Sequence, residues 1–496
     1  MKYILGIDEG TTGVKVMIFD KAVNVIAQAY SEFTQHFPQS GWVEHDANEI
    51  WEVTLKMVAE ALKNGNVQPD QIEAIGITNQ RETTVFWDKK TSQPVCRAIV
   101  WQDRRTLDIC EALEAKDGAG IVERTGMIIV PNDAATKIRW LLDNDPKVRT
   151  GVDNGELLYG TIDSWLVWKL TGGGAHVTDY SNASVTLLQN ARTLDYDEGI
   201  LKELNIPRAI LPELRTSSEV YGLTDPEVFF GAVVPVAGIL GDQQSAAFGQ
   251  GCLEKGMAKN TYGTGSFMVM NTGDKYVPPS DGIFSPVLWS AKGRTDYGLE
   301  GMADVSGAVI QWLRDGLGII NDAKEAEELA LQVEDSLGVY FVPAFVGLGA
   351  PYYDSYARGT IIGISRGTTK QHIARAALES MAFQVKDAFN VMEKKSGFKL
   401  TKLRADGGGA KSDFLLQFQA DILGIPVERP VITETTTLGA VYAAGLAVGY
   451  WDSFEEIGKF WKIEKRFEPQ ISEEKRQELC GFWDKAVKRS AGWLKE

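Results

Sequence analysis

Cysteine and histidine are scarce in this sequence, and neither is clustered. The 496 residues include four cysteines and four histidines. Cys96, Cys110, Cys252 and Cys480 form no CxxC pair, so their spacing predicts neither a disulfide framework nor a zinc site. The histidines are equally scattered and give no cluster of transition-metal ligands. Both absences favour a protein of a reducing compartment.

Long apolar runs and a surplus of positive charge are also absent. The longest weakly polar run is FFGAVVPVAGILG, far short of the ~20 residues that cross a bilayer. The first residues, MKYILGIDEG, lack the apolar segment of a signal peptide. A net charge of −16 opposes binding to nucleic acid or to an anionic membrane surface. We therefore expect a cytoplasmic protein without membrane insertion and without a nucleic-acid partner.

Two common nucleotide-binding motifs are missing as well. The sequence has no GxxxxGK[ST] loop, and no GxGxxG follows its first predicted strand. A Walker-type NTPase and a Rossmann dehydrogenase are therefore poorly supported.

The pattern of strands and helices predicts two α/β domains. A chain of 496 residues is too long for one ordinary core. Strands ILGIDEG, VKVMIFD and NVIAQAYSEF precede the amphipathic helix NEIWEVTLKMVAEALKNG and the strand IEAIGITNQ. A related pattern returns in AKNTYGTGSFMVMN and LRADGGGAKSDFLLQFQADILG, which indicates a structural duplication. We place the domains at residues 1–246 and 247–496, with a long shared interface.

A polar turn, DEGTTG, separates the first two predicted strands. One interpretation is a tight hairpin, because Gly and Asp serve turns for conformational reasons alone. The other is a phosphate clasp, in which glycines expose backbone N–H groups, threonines add donors and the acid supports a metal ion. The turn TYGTGS occupies the matching place in the second half. Two such turns would place a nucleotide in the cleft between the domains.

Polar residues follow buried strands at two further places. Arg81 and Glu82 come after IEAIGITNQ, where they either bind a polyhydroxyl substrate or form an exposed ion pair. Asp242 follows the strand GILG and either takes a proton from a hydroxyl nucleophile or caps the next helix. Trp101 in IVWQDRR either packs a carbon chain or belongs to the core. The glycines of ADGGGAKSDF either open a helix that receives an anion or purine, or form a simple turn.

Ten segments in order carry a resemblance that none of them carries alone. They are GWVEHD, GITNQRETT, IVWQDRR, HVTDYSNAS, GDQQSAAFGQ, KNTYGTGSF, VPAFVGLGAPY, ARGTIIGI, LQFQADILG and LGAVYAAGLAVGYW. On these segments the chain resembles the FGGY carbohydrate kinases, and within them the branch that acts on glycerol. The resemblance runs from the first strand to about residue 490.

The resemblance implies a fold, a reaction and a set of site residues. The fold is two RNase-H-like domains of the actin/Hsp70/sugar-kinase superfold, which close over ATP, Mg²⁺ and a small polyol in an interdomain cleft. The implied reaction phosphorylates a terminal hydroxyl, with Asp242 as the general base. Asp8, through water, and Asp242 are the implied Mg²⁺ ligands. The implied polyol residues are Arg81, Glu82, Trp101, Asn132, Asp242, Gln243 and Phe267. The implied nucleotide residues are Thr11, Thr12, Gly13, Lys15, Thr264, Gly307, Gln311, Gly408 and Ser412.

Several positions depart from the pattern of that branch. Where it usually reads D-x-Y-F-S-x-T-K, this chain has VPNDAATK, so Asn132 stands in place of the substrate-contacting Tyr. Lys15 replaces an Arg and Gly13 a Ser, while Asp103 stands where Cys is usual and Ser412 where Asn is usual. Glycerol is the expected substrate. The alternative is a longer polyol or sugar, such as erythritol, threitol, xylitol or a pentose or ketose, because the altered wall enlarges the pocket.

The resemblance also bears on regulation and assembly. Members of this branch that are inhibited by fructose 1,6-bisphosphate carry a Gly/Arg loop before the strand that leads to the catalytic Asp. Here the segment is DPEVFFGAVVPVAG, without a basic residue, so we expect no such inhibition. A homodimer or homotetramer is expected, as is common in the family. The remote alternative is a non-kinase actin/Hsp70-like ATPase, which would have no reason to keep NQRETT and GDQQ together.

Overall fold

The computed structural model describes residues 1–495, which form two large sheets, four two-stranded sheets and flanking helices. The strands up to residue 249 are β1 (Tyr3–Glu9), β2 (Gly13–Phe19), β3 (Val25–Glu32), β4 (Glu44–His45), β5 (Ile72–Asn79), β6 (Val85–Asp88), β7 (Ala98–Ile99), β8 (Leu157–Gly160), β9 (Val177–Asp179), β10 (Glu213–Arg215), β11 (Ser218–Leu223) and β12 (Pro235–Gly241). The helices there are α1 (Ala47–Gly65), α2 (Leu107–Thr125), α3 (Ala134–Asn144), α4 (Pro146–Asp153), α5 (Ile162–Leu170), α6 (Tyr180–Ser184), α7 (Glu198–Glu203) and α8 (Asp242–Gly249).

The second part of the chain has a similar composition of elements. Its strands are β13 (Ala258–Tyr262), β14 (Ser266–Gly273), β15 (Val287–Ala291), β16 (Arg294–Ala303), β17 (Tyr340–Val342), β18 (Thr360–Ile362), β19 (Leu403–Asp406), β20 (Val427–Pro430) and β21 (Ile463–Phe467). Its helices are α9 (Gly307–Asp315), α10 (Ala323–Ala330), α11 (Lys370–Ser396), α12 (Asp413–Leu423), α13 (Thr435–Ala447), α14 (Phe454–Gly458) and α15 (Glu473–Ser490).

The two large sheets repeat one topology. The first has the order β11-β12-β5-β1-β2-β3 and the second β15-β16-β14-β13-β19-β20-β21. In each, three antiparallel strands (β1, β2, β3 and β13, β14, β16) are followed by two parallel ones (β5, β12 and β19, β20) and an antiparallel edge strand (β11 and β21). This confirms the predicted α/β class and the duplication. DEGTTG and TYGTGS connect corresponding strand pairs.

Helix α13 packs directly on the first sheet although it comes from the second half of the chain. Gly6, Gly76 and Gly238 lie side by side on β1, β5 and β12. A Cβ on Gly76 would collide with the carbonyl oxygen of Ala440, and one on Gly238 would meet the backbone of Ala444 at 2.5 Å. The three glycines therefore form a shallow groove that lets the helix backbone approach the strands, where side chains would hold it away.

The two halves share buried apolar surface around α13. One core cluster joins Ile4 and Ala74 of the first sheet, Phe248 of α8, Trp289 of β15 and Val441 of α13. The predicted long interface is thus present, and the exact division at residue 246 stays a prediction. Among residues 1–495, no helix is long and apolar enough to cross a membrane.

Replacing Gly76 with Ala tests the groove. Because the new Cβ meets backbone rather than a flexible side chain, we expect Gly76→Ala to lower the free energy of unfolding by about 1–3 kcal/mol. Gly481→Ala in α15 is the matched control: its Cβ meets nothing within 4 Å, and Ala favours a helix by about 0.5–1 kcal/mol. Urea unfolding of both variants gives the comparison, and equal stabilities would contradict the close packing of α13.

Candidate active site

A cavity of about 400 Å³ lies between the two halves. All seven residues predicted for the polyol line it, namely Arg81, Glu82, Trp101, Asn132, Asp242, Gln243 and Phe267. The first half also contributes Arg104 and Asp133, and the second half Glu300, Asp304 and Tyr353. The structure therefore brings the predicted set together from segments distant in sequence, and the role of each member stays a prediction.

Arg81 is the best-connected side chain of the cavity. Its two terminal nitrogens donate to the carboxylate of Glu300 at 2.6 and 2.7 Å, and Nε lies 3.0 Å from Oδ1 of Asp242. The Arg81 side chain is 12% exposed and that of Glu300 3%, so the pair is buried and bidentate. Its neighbouring carboxylates raise the pKa of Arg81 against the opposing effect of burial. The alternative of an exposed Arg81–Glu82 ion pair is wrong, because Arg81 pairs with Glu300 and Asp242 instead.

Asp242 is the first residue of α8, directly after the buried strand β12. Gly241 occupies the cap position, so the alternative that Asp242 merely caps the helix is wrong. Oδ1 accepts from the backbone N–H of Gln243 and forms an ion pair with Nε of Arg81 at 3.0 Å. Within residues 1–495, Oδ2 has no hydrogen-bond partner, which leaves one acceptor of a fixed carboxylate open on the cavity side.

Glu82 is held in an unusual backbone conformation at the edge of the cavity. Its φ of 68° is in the left-handed region, which non-glycine residues rarely adopt and which concentrates at functional sites. The residue is 8% exposed, and Oε2 has no partner in the described chain. Burial raises the pKa of Glu82 to about 7, while Arg81 and Lys137 oppose the rise. Glu82 thus lines the cavity, while its unpaired Oε2 is itself buried.

Two fully buried charged residues lie behind this wall. Lys137 on α3 donates to the carbonyl of Asn132, and burial lowers the pKa of Lys137 to about 8. Asp133 accepts from the N–H of Val130 through Oδ2, whereas Oδ1 is buried without a partner. Burial and the charge of Glu82 raise the pKa of Asp133. This wall of the cavity therefore contains buried polar side chains.

Trp101 connects the cavity to the first polar turn. Its indole N–H donates to the hydroxyl of Thr11 at 2.9 Å, and the partly buried ring lines the cavity. Trp101 is thus a wall residue, and the alternative that it belongs to the core is wrong. This bond joins a residue predicted for the polyol to one predicted for the nucleotide.

A buried chain of hydrogen bonds holds the turn DEGTTG in place. Gln80 donates to Glu9 at 2.9 Å and contacts His45, whose other ring nitrogen lies 2.7 Å from Gln35. Gln35 in turn donates to the carbonyl of Thr11 at 2.9 Å. Since both ends of this chain attach to the turn, the turn is fixed more firmly than a solvent-exposed hairpin.

The start of the first turn also contacts the second half of the chain. Asp8 accepts from the hydroxyl of Thr437 on α13 at 3.0 Å, and Lys15 pairs with Glu434 at 2.5 Å. Burial raises the pKa of Asp8 to about 7, and the charge of Asp242 adds to the rise. Lys15 therefore reaches the other half, while Thr12 is exposed at the turn.

Asp8 and Asp242 suit a magnesium ion that keeps several water ligands. Two carboxylates that repel one another in a partly buried place are the oxygen donors that Mg²⁺ prefers. Among residues 1–495, no group of three or more His, Cys, Asp or Glu could hold a metal. A cation here would take its other ligands from water and phosphate.

The predicted nucleotide residues of the second half gather around the end of β13. The backbone N–H groups of Ser306 and Gly307, at the start of α9, donate to the carbonyls of Thr264 and Gly263 at 2.8 and 2.9 Å. Gln311 lies one helical turn further along α9. A Cβ on Gly409 would meet Tyr262 at 2.8 Å, so the glycine turn packs beside TYGTGS.

The predicted helix after the glycines begins later than ADGGGAKSDF suggested. Gly409–Lys411 forms a short 3-10 turn, and Ser412 caps α12 by accepting from the N–H of Leu415 at 3.1 Å. The hydroxyl of Ser412 provides the cap, so the helix starts at Asp413 rather than at the glycines.

At three positions near the polar turns, neither close packing nor backbone geometry requires a glycine. Gly10, Gly263 and Gly408 have no positive φ, and a Cβ on each would meet nothing closer than about 3.5 Å. Gly10 and Gly263 occupy equivalent positions in the two turns, and Gly408 lies beside the second. Their missing side chains make room for a ligand at the places predicted for phosphates and a purine.

The sequence reasoning missed several cavity residues. Glu300 carried a signal, a lone acid in the apolar strand GLEGMA, because a buried carboxylate requires a partner. Arg104 and Asp304 lie in loops and gave none. Asp133 stands where the D-x-Y-F-S-x-T-K pattern has Phe, a departure as informative as that of Asn132.

Comparisons with known proteins were made for the chain as a whole. The model of the N-terminal domain of the FGGY family of carbohydrate kinases matches residues 3–249, and that of the C-terminal domain matches residues 258–448. "Glycerol kinase 2" of Thermotoga maritima is 54% identical over 496 residues, 100% of each chain. "Glycerol kinase" of Carboxydothermus hydrogenoformans is 54% identical over 99% of each chain.

Solved structures agree with these matches. Plasmodium falciparum glycerol kinase, crystallised with ADP, superposes with a TM-score of 0.94 at 35% identity, over 99% of this chain and 98% of that one. A ligand-bound xylulose kinase of Lactobacillus acidophilus, at 23% identity over 100% of each chain, has a TM-score of 0.89 and shows the fold alone. The actin/Hsp70-like sugar-kinase fold predicted from sequence is thereby confirmed.

Lys137→Met tests the electrostatics of the buried wall. Because the Lys137 charge lowers the pKa of Glu82, its removal should move the titration of Glu82 from about pH 7 to higher pH. Isotope-edited infrared titration of ¹³C-carboxyl-glutamate protein measures this, with Glu82→Gln to assign the band. Lys116→Met, which removes an exposed cation, should leave the midpoint in place. An unchanged midpoint in Lys137→Met would contradict the assignment.

Proposed function

Because this chain belongs to the FGGY family of carbohydrate kinases, we propose that it transfers the γ-phosphoryl group of ATP to a terminal hydroxyl of glycerol, giving glycerol 3-phosphate. Its relatives at 54% identity over the full length are named glycerol kinases, which supports glycerol over other polyols. The observation that carries the proposal is the cavity, where one open carboxylate oxygen of Asp242 faces a set of fixed hydroxyl-binding groups. A chaperone- or filament-like ATPase would have no use for such a cavity.

Asp242 is the proton acceptor of the proposed reaction. Its Oδ1 is fixed by Arg81 and by the N–H of Gln243, so Oδ2 can take the hydroxyl proton as the oxygen attacks phosphorus. The rigid attachment of Arg81 to Glu300 keeps this geometry before substrate arrives, which lowers the cost of orientation. The same clamp would hold the carboxylate through the whole transfer.

The remaining cavity residues would orient glycerol. Glu82 accepts from substrate hydroxyls at the cavity wall, and Gln243 is itself held by Lys259 at 2.5 Å. Trp101 and Phe267 pack against the carbon chain. Because the cavity lies between the halves, their closure would exclude water that otherwise competes as a nucleophile.

ATP would lie between the two polar turns. Thr11, Thr12 and Gly13 would donate to phosphates from the first turn and Thr264 from the second, with Gly408 beside the adenine. Asp8 and Asp242 would hold Mg²⁺, which supplies positive charge to the transferring phosphoryl group. Lys15 would complete this arrangement, and its pairing with Glu434 keeps the ammonium group at the junction of the halves.

Assembly, regulation and location complete the proposal. We propose a cytoplasmic homodimer or homotetramer, to be tested by analytical ultracentrifugation. We also propose that fructose 1,6-bisphosphate does not inhibit it, because DPEVFFGAVVPVAG at residues 225–238 offers no cation to a bisphosphate. A clear loss of activity at millimolar effector would contradict the last point.

Asp242→Asn tests the proton acceptor. An amide cannot take the hydroxyl proton, so kcat for glycerol should fall on the order of 10²–10⁴-fold. A coupled assay for ADP formation measures this, with separate detection of glycerol 3-phosphate. Asp153→Asn, an exposed carboxylate paired with Arg149, is the matched control and should behave as the wild type. Wild-type kcat in Asp242→Asn would contradict the role, and absence of glycerol 3-phosphate from the wild type would contradict the function.

A further inference from the structure

One wall of the cavity is more polar than glycerol requires. Asn132 and Asp133 stand where the D-x-Y-F-S-x-T-K pattern places Tyr and Phe, so two aromatic rings are replaced by an amide and a carboxyl group. Both residues line the cavity. The change removes apolar surface and adds hydrogen-bonding groups at the same place.

Asp133 points to a missing ligand at this wall. The residue is 0% exposed, yet Oδ1 has no hydrogen-bond partner within residues 1–495. A buried polar atom without a partner is costly unless a ligand or water satisfies it. The aromatic residue of the pattern would need no partner. Asp133, at the start of α3, uses Oδ2 for the N–H of Val130, and its buried Oδ1 is left for a polar ligand or a water molecule.

Arg104 and Asp304 continue the polar wall across the cleft. Arg104 donates to the side-chain oxygen of Asn132 at 2.8 Å. Asp304 follows β16 in the other half and lines the same cavity. Burial raises the pKa of Asp304, and the charge of Arg104 opposes this rise; both residues line the cavity. Donors and acceptors for hydroxyl groups therefore come from both halves.

The cavity has room beyond glycerol. Its volume of about 400 Å³ exceeds what glycerol alone fills, and it extends to Asp242, where the γ-phosphoryl group would arrive. Asn132, Asp133 and Arg104 are among the residues that line this space.

We propose that Asn132, Asp133 and Arg104 form a distal subsite for the additional hydroxyl groups of a linear polyol one or two carbons longer than glycerol, so that the chain also phosphorylates such polyols. The inference rests on the proposed function and uses its chemistry. The terminal hydroxyl oxygen forms a bond to the γ-phosphorus, the bond from that phosphorus to the ADP oxygen breaks, and the proton passes to Asp242. The distal hydroxyls accept from Arg104 and the Asn132 amide, and a bridging water carries the hydrogen bond to the buried Oδ1 of Asp133.

The experiment compares glycerol with erythritol, D-threitol and xylitol in the full chain. The measured quantity is kcat/KM with ATP for each polyol, and competition with glycerol measures binding of polyols that turn over slowly. Asn132→Tyr restores the ring of the pattern, and Arg104→Met removes the donor from an exposed side chain. A site built for a hydroxyl should discriminate by at least tenfold. We therefore expect each variant to lower the ratio of kcat/KM for longer polyols to that for glycerol by tenfold or more.

Each outcome separates this inference from the proposed function. Lys116→Met, a surface control, should leave the ratio at its wild-type value, and thermal unfolding checks that all variants are folded. Wild-type protein that phosphorylates glycerol but neither binds nor phosphorylates the longer polyols would overturn the inference alone, as would an unchanged ratio in both variants. Longer polyols phosphorylated without glycerol would support the subsite and overturn glycerol as the substrate. Failure with every polyol would overturn both.

Discussion

The bidentate ion pair between Arg81 and Glu300 is the interaction on which the site depends. It joins the end of β5 in the first sheet to β16 in the second, and the remaining nitrogen of the guanidinium fixes Asp242 at the start of α8. Breaking one partner of a buried pair is strongly destabilising, because the other charge stays buried. The pair therefore sets both the relation of the two halves and the position of the proton acceptor.

The backbone packing of α13 is the second constraint, and it explains why polar turns from the two halves act on one place. The glycine groove of β1, β5 and β12 lets this helix lie against the strands, and its N-terminal end carries Glu434 and Thr437 to the first turn. Lys15 and Asp8 then belong to the junction rather than to one domain. Since Trp101 also bonds to Thr11, the polyol wall and the phosphate turn are mechanically connected.

Local sequence patterns predicted the strands and helices better than they predicted the contacts between distant residues. Strand alternation and polar turns predicted two α/β domains, and the family resemblance named seven of the residues that line the cavity but not Glu300, Arg104 or Asp304. Pairings across hundreds of residues, such as Arg81 with Glu300 or Lys15 with Glu434, have no local signature. The acid in the apolar strand GLEGMA indicates that Glu300 needs a partner, but not which residue that partner is. The start of α12 was misplaced for a similar reason: Ser412, and not the glycines, satisfies the first N–H groups. The departures from the family pattern at Asn132 and Asp133 bear on substrate specificity, which the pattern itself does not decide.

Glu300→Gln is the most direct test of the central pair, because it keeps the shape of the side chain and removes its charge. Steady-state kinetics with glycerol and ATP, together with equilibrium binding of ATP, separate the effects. The account predicts a higher KM for glycerol and a lower kcat, since Arg81 and Asp242 lose their fixed positions, with ATP binding little changed. Wild-type KM and kcat for glycerol in a folded Glu300→Gln protein would contradict it.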